Sequence, residues 1–314
     1  MNYIVFDLEW NQSPNGKERE NPRLPFEIIE IGAVKLNSRL EETEQFHRII
    51  HPSVYRTLNH HIREVVQITE KDLRKGTGFP EAVTDFLSFC GGDAMFCTWG
   101  PADLTELQRN MKFYGLLSML RGPLHYYDVQ KLFAIQYETM KSRKSLEYAA
   151  DFLNLDRSLD FHRALSDAVY TARVFQKIHP VVRDAYDSID VYQNPKTKRE
   201  EIHAVYNGYS KFISREFDSK EDAVADREVS STYCCICGRK ARKKLRWFSA
   251  GSKNYYCIAL CPDHGYLKGK IRMKHTDEGK FYVVKTIKVS SSQEAEEIRQ
   301  KKESIRKKRN QRHR

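Results

Sequence analysis

The segment that most constrains this chain is its first apolar run. Tyr3-Ile4-Val5-Phe6 is uninterrupted and passes directly into Asp7-Leu8-Glu9-Trp10. A short continuous apolar run reads as a buried strand. Along a strand, residues two apart share a face, so Asp7 and Glu9 stand side by side at the end of a core element. Two adjacent carboxylates repel each other and lose hydration there, and a divalent cation is what neutralises such a pair most readily. Taken alone, an Asp-x-Glu is also what an ordinary solvated strand exit looks like.

The residues that follow supply the rest of a domain. Residues 11–25 read as a loop, Glu27 to Leu36 and Gln45 to Ile50 as strands, and the short connections imply an antiparallel meander. A short helix opens at Thr69. Phe79 to Cys90 is helical and is ended by Gly91-Gly92. Ala94 to Thr98 is a strand, and Pro101 opens a helix to Tyr114. Tyr126 to Asp128 is a strand followed by a helix to Tyr137, and Ser145 to Leu153 and Ser166 to Ile178 are helices. Meander followed by alternation makes an α/β domain with a mixed sheet flanked by helices. Pro180 is expected to close it, giving a domain over 1–182, a polar connector over 183–230, a cysteine-bearing module over 231–290 and a basic tail over 291–314 that begins as a charged helix and is frayed or disordered at its end.

Three further residues extend the first pair. Asp103 falls in the first turn of the helix after the Ala94–Thr98 strand. His162 precedes Asp167 by five residues at the start of another helix. Each acid singly could do no more than complement a helix dipole. Together, in this order and spacing, they resemble the DEDDh exonuclease family: Asp7-Leu8-Glu9 matches its first motif, Asp103 its second, and His162 with Asp167 its third. Glu27-Ile28-Ile29-Glu30-Ile31-Gly32-Ala33-Val34 resembles the family's second strand. Gln67-Ile68-Thr69 with Asp72-Leu73 is similar to its Gly-Ile-Thr turn, with Gln67 in place of the Gly.

The resemblance covers about residues 1–180 and implies a ribonuclease H-like fold. It also implies a 3′→5′ exonuclease that releases nucleoside 5′-monophosphates. Four carboxylates can hold two Mg²⁺ or Mn²⁺ ions, which clamp the attacking and leaving oxygens of an in-line displacement. His162 is the expected general base. Trp10 and Trp99 flank the motifs and could stack on the terminal base. Trp10 could equally be a core tryptophan, and Trp99 reads more readily as one.

The loop-rich stretch after the first motif and the Trp99-Gly100-x-x-Asp103 segment look most like the Eri-type branch, which favours RNA. A DNA exonuclease of proofreading type and a catalytically inactive nucleic-acid-binding protein are the alternatives. All five motif residues are present, which argues against the inactive form.

Charge is placed unevenly. Residues 1–230 carry 30 Lys and Arg against 35 Asp and Glu, and residues 231–314 carry 23 against 7. A basic block of that density is the footprint expected for a polyanion partner, or else a solvated tail that binds nothing specific; the resemblance implies that the partner is nucleic acid with single-stranded 3′ ends. Of the seven cysteines, Cys90 and Cys97 lie in apolar runs and read as core. The other five fall between 234 and 261. Cys234-x-x-Cys237 and Cys261-x-x-His264 have the spacing of paired zinc knuckles, so a zinc-ribbon-like module with one structural Zn²⁺ is expected. Cys235 and Cys257 compete as ligands. The amino terminus has no signal-peptide pattern and no apolar run approaches the length of a membrane span, so the protein is expected to be soluble and cytoplasmic.

Overall fold

A computed structural model describes residues 1–138 and 143–312. The chain divides into two units, Met1–Gln193 and Asn194–Arg314. Among the described residues no helix is long and apolar enough to cross a membrane.

The first unit is built on a six-stranded mixed sheet. Its strands are β1 (Asn2–Gln12), β2 (Phe26–Leu36), β3 (Glu42–Ile49), β4 (Ala94–Thr98), β5 (Leu124–Asp128) and β6 (Ser188–Asp190), in the order β3-β2-β1-β4-β5-β6. β1, β2 and β3 form the antiparallel meander, β4 and β5 run parallel to β1, and β6 returns antiparallel to β5.

Helices cover both faces because β1 is apolar on both. Ile4, Phe6 and Leu8 point to one side, into a core closed by α3 (Phe79–Cys90) and α4 (Ala102–Phe113). Tyr3 and Val5 point to the other, into a core closed by α5 (Val129–Tyr137), α6 (Leu146–Phe152) and α7 (Ala164–Lys177). Short helices α1 (His60–Val65) and α2 (Glu70–Lys75) fill the crossover, α2 being fixed by a Thr69–Asp72 capping box.

Two close approaches set the seat of α7. In the β1–β2 register Asp7 lies opposite Gly32, and Glu9 opposite Glu30. These four positions therefore share one face. A Cβ at Gly32 would lie 2.1 Å from the Leu165 nitrogen and 2.2 Å from the Ala164 carbonyl carbon. Only glycine lets the backbone that starts α7 lie directly on the sheet.

The first unit does not end at Pro180. Proline there takes the first turn of α8 (Pro180–Ala185), where its missing N–H goes unneeded, and the chain then adds β6 to the sheet. Asp190 on β6 accepts from Gln108 at 2.7 Å, so the unit reaches Gln193. Residues 183–230, expected as a polar connector, instead carry α8, β6 and the first elements of the second unit.

The second unit is a six-stranded antiparallel sheet, larger than a ribbon. Its strands are β7 (Ile202–Tyr206), β8 (Tyr209–Ile213), β9 (Arg242–Ser249), β10 (Asn254–Cys261), β11 (Gly265–His275) and β12 (Phe281–Val289), ordered β7-β8-β12-β11-β10-β9. Phe212, Ile271, Met273 and Val283 pack on one face with Ala223 and Val229 of α9 (Lys220–Ala225) and α10 (Arg227–Ser230).

β9 is an edge strand, and its register against β10 shifts twice. The charged helix expected at the start of the tail is α11 (Ser292–Arg312), which continues through the Lys/Arg run expected to fray, and its Ala295 and Ile298, three apart, bury themselves against Ile258. Residues 313–314 of that tail lie outside the described residues.

The close approach at Gly32 makes a sharp expectation. Gly32→Ala should cost at least the ~1–3 kcal/mol usual for overpacking, because the obstructing atoms are backbone. Gly92→Ala, where nothing lies within 4 Å of the added Cβ, should be nearly neutral. Urea denaturation of both variants measures the difference.

Candidate active site and a cysteine cluster

Asp7 and Glu9 on β1 and Asp167 in the first turn of α7 bring carboxylate oxygens within 4.8 Å of one another. The seat of α7 on β2 is what carries Asp167 there. Asp103 arrives from the opposite helical layer. β1 pairs with β4 only as far as Val5–Cys97, and beyond that point the Leu8 N–H donates to Asp103 Oδ1 at 3.3 Å. Asp103 is not in the group within 4.8 Å.

The electrostatics are those of crowded, buried acids. Burial first, and then Asp103, Asp167, Glu9 and Glu30, push the Asp7 carboxyl well above its ordinary range. Burial and then Asp167 raise Glu9 to about 8. Burial raises Asp103 to about 7 and Asp167 to about 6, against the opposing pull of N–H donors. Asp167 Oδ2 accepts the His162 N–H at 3.2 Å, while Oδ1 is buried with no hydrogen-bond partner among the described residues. Arg163 draws Glu9 down and His162 draws Asp167 down, yet both acids stay raised. Converging oxygens, one of them without a partner among the described residues, fit a divalent ion.

The structure places the other expected residues as follows. His162 has a left-handed backbone, φ 64°, and its Nε2 lies 3.7 Å from Glu147 Oε1, with half of the side chain exposed. Trp10 packs on Phe26 with ring centroids 5.9 Å apart. Trp99 packs on Phe133 at 6.1 Å, and its Nε1 is buried without a partner among the described residues.

One residue of the site was passed over as part of a strand. Glu30 is fully buried, opposite Glu9. It accepts from His47 Nε2 at 2.6 Å, Arg163 Nε at 3.1 Å, Arg163 Nη2 at 2.8 Å and the Ala164 N–H at 3.0 Å. Bonds from His47 and Arg163 outweigh its burial and hold its carboxyl below the ordinary value. The signal was two acids in the otherwise apolar EIIEIGAV, each of which needs partners when buried: Glu30 takes Arg163, whereas Glu27 takes the Ser53, Val54 and Tyr55 N–H groups.

In the second unit, Cys234, Cys237, Cys261 and His264 also bring their ligand atoms within 4.8 Å of one another. Cys237 Sγ lies 3.7 Å from Cys261 Sγ, and His264 Nδ1 lies 3.6 Å from the sulfurs of Cys234 and Cys261. A tetrahedral ion with Zn–S bonds of about 2.3 Å separates its sulfurs by about 3.8 Å, so the spacing fits. The Arg239 N–H is the first cause that draws the Cys237 thiol down to about 6. Cys235 and Cys257 are left out. Cys257 is turned into the core beside Gly269, where burial pushes its thiol up to about 12.

The acid cluster sets a pH dependence. Glu9 rises from an ordinary 4.5 to about 8 on folding, and Asp167 from 3.8 to about 6. Their protonated forms suit the fold, so this contribution is complete below the ordinary values and is lost as pH rises through the folded ones. The metal-free protein should therefore melt at a lower temperature at pH 8 than at pH 5. Mg²⁺ or Mn²⁺ should raise the melting temperature more at pH 8. Calorimetric scans with and without the ion check this, and a profile unaffected by the ion would contradict it.

Comparison with known proteins agrees with this geometry. None of the curated proteins matches the chain by sequence. Among solved structures, the nuclease domain of 3′hExo, a DEDDh family member bound to rAMP, superposes with a TM-score of 0.50 at 19% identity, over 60% of this chain and 96% of that one. A full-length 3′-exonuclease gives 0.48 at 21% identity, over 58% and 82%. E. coli ExoI in complex with single-stranded DNA gives 0.46 at 15% identity, over 58% and 42%. The mixed sheet flanked by helices is of the ribonuclease H-like exonuclease kind. The family model RNase T, described as Exonuclease, matches residues 4–175. That span is more than half of the chain and holds all four clustered acids and His162, so the chain belongs to the exonuclease family.

Proposed function

We propose that this exonuclease works from the 3′ end and releases nucleoside 5′-monophosphates, acting on single-stranded RNA in preference to DNA. The observation that carries the reading is the convergence of Asp7, Glu9 and Asp167, with one Asp167 oxygen unpartnered, in a chain of the exonuclease family.

Asp7, Glu9 and Asp167, with Asp103 beside them, are the residues that would hold the divalent ions. Such ions neutralise the charge that builds on the attacking and leaving oxygens. His162 is assigned to take the proton of the attacking water at Nε2, and Trp10 and Trp99 to contact the terminal nucleotide. The preference for RNA rests on the Trp99-Gly100-x-x-Asp103 segment and the loop after the first motif. A DNA exonuclease of proofreading type is the alternative.

Degradation of matched single-stranded RNA and DNA, labelled at the 5′ end, tests polarity, metal need and sugar together. A ladder of shortening products should appear with Mg²⁺ and be faster on RNA. Asp7→Asn should abolish it, and His162→Ala should slow it by roughly 10²–10⁴-fold, the usual worth of a positioned proton acceptor. Full activity in excess chelator would refute the mechanism, and equal rates on the two substrates would refute the preference.

In the second unit we assign a structural Zn²⁺ to Cys234, Cys237, Cys261 and His264. The strongly basic carboxyl-terminal part is assigned to holding the phosphates of longer substrates. Supporting this are the exposed cations Arg242, Lys243, Lys244 and Arg246 on β9 and Lys301, Lys302, Arg306, Lys307 and Lys308 on α11. Elemental analysis of protein purified without added metal should find one zinc per chain. A Cys261→Ser, His264→Ala double variant should retain none.

A further inference from the structure

We propose that Glu30 is a positioning residue: it fixes the backbone after His162 so that the imidazole is presented to the acid cluster. This rests on the reading of His162 as the proton acceptor.

His162 is a non-glycine residue with φ 64°. A side chain in the left-handed region crowds its own backbone and relaxes to negative φ unless its surroundings prevent it. Two anchors prevent it here. On one side, the His162 N–H is held by Asp167 Oδ2 at 3.2 Å. On the other, the next two residues are held by Glu30, through Arg163 Nε and Nη2 and the Ala164 N–H. The direction of Cα–Cβ follows from the backbone, so the two anchors together decide where the imidazole starts from.

Glu30 is well suited to this. It is fully buried and stands on the central part of β2; one carboxylate oxygen takes Nε and Nη2 of Arg163 and the other the Ala164 N–H, a set that an amide, with only one accepting end, does not reproduce. It also lies opposite Glu9. Without Arg163 it would add a further uncompensated negative charge beside the cluster. A brace for α7 alone could be built from the Gly32 contact, which needs no charge. The ionic fork is placed instead on the residue that follows His162.

The test is a double-mutant cycle on the full-length protein with 5′-labelled single-stranded RNA and Mn²⁺, reading kcat and KM for Glu30→Gln, His162→Ala and the double variant. Mn²⁺ binding is read by calorimetry for each. Glu30→Gln should lower kcat by about 10–10²-fold, the range for partners that orient a reacting or ligating group, with KM and Mn²⁺ affinity unchanged. The double variant should be no slower than His162→Ala.

Because Glu30→Gln could fail to fold, Arg163→Lys, which keeps the cation but loses the fork, is carried through the same cycle with the same expected pattern. Additive losses, or weakened Mn²⁺ binding that matches the loss of rate, would show that Glu30 merely seats α7 and would overturn the proposal alone. If His162→Ala by itself kept the wild-type rate, the role of His162 would fall and this one with it.

Discussion

The structure of the catalytic unit depends on one contact, the seating of the first turn of α7 on β2 without an intervening side chain. Asp7 and Glu9 are fixed by β1 whatever the helices do. Asp167 is not: it reaches them only because the Ala164–Leu165 backbone can lie where the Gly32 Cβ would be. Glu30, two residues earlier on the same face, ties Arg163 and Ala164 to the same strand. Shape lets the helix approach, and the Glu30 bonds hold the residues at its start.

This arrangement concentrates like charge where the protein can least screen it. The acids come from both helical layers and from the strand between them, and burial pushes all four toward their protonated forms. Glu30 shows the other solution to the same difficulty, since its charge is matched inside the protein by Arg163. Among the described residues Asp7, Glu9 and Asp167 have no ion pair of that kind, and their carboxyls stay raised where that of Glu30 is lowered.

Much of this was legible in the sequence. Period-two alternation placed Asp7 and Glu9 on one face, and α3 and β4 fall where the apolar pattern and Gly91 put them. The knuckle spacing named four ligands that do converge, although their zinc remains a proposal. What escaped was non-local. Pro180 read as a stop because proline ends helices more visibly than it starts them. β6 is three residues long, too short to carry an alternation. Strand β8 finds its partner in β12, far along the chain, and β7 lies on the other side of β8. Of the two anchors on the His162 loop, the one from Asp167 is local, but the one from Glu30 spans 133 residues to Arg163, which no local pattern encodes.

The edge strand β9 has a consequence for the molecule among its own copies. An unpaired strand offers a row of N–H and C=O groups to any passing strand, and regular, uncharged edges recruit neighbours into growing sheets. β9 carries Arg242, Lys243, Lys244 and Arg246 in exposed positions, and two register shifts break its pleat. A second copy approaching edge to edge meets like charge and a ladder it cannot match. The irregularity that spoils β9 as half of a larger sheet closes this edge of the second sheet to a further strand.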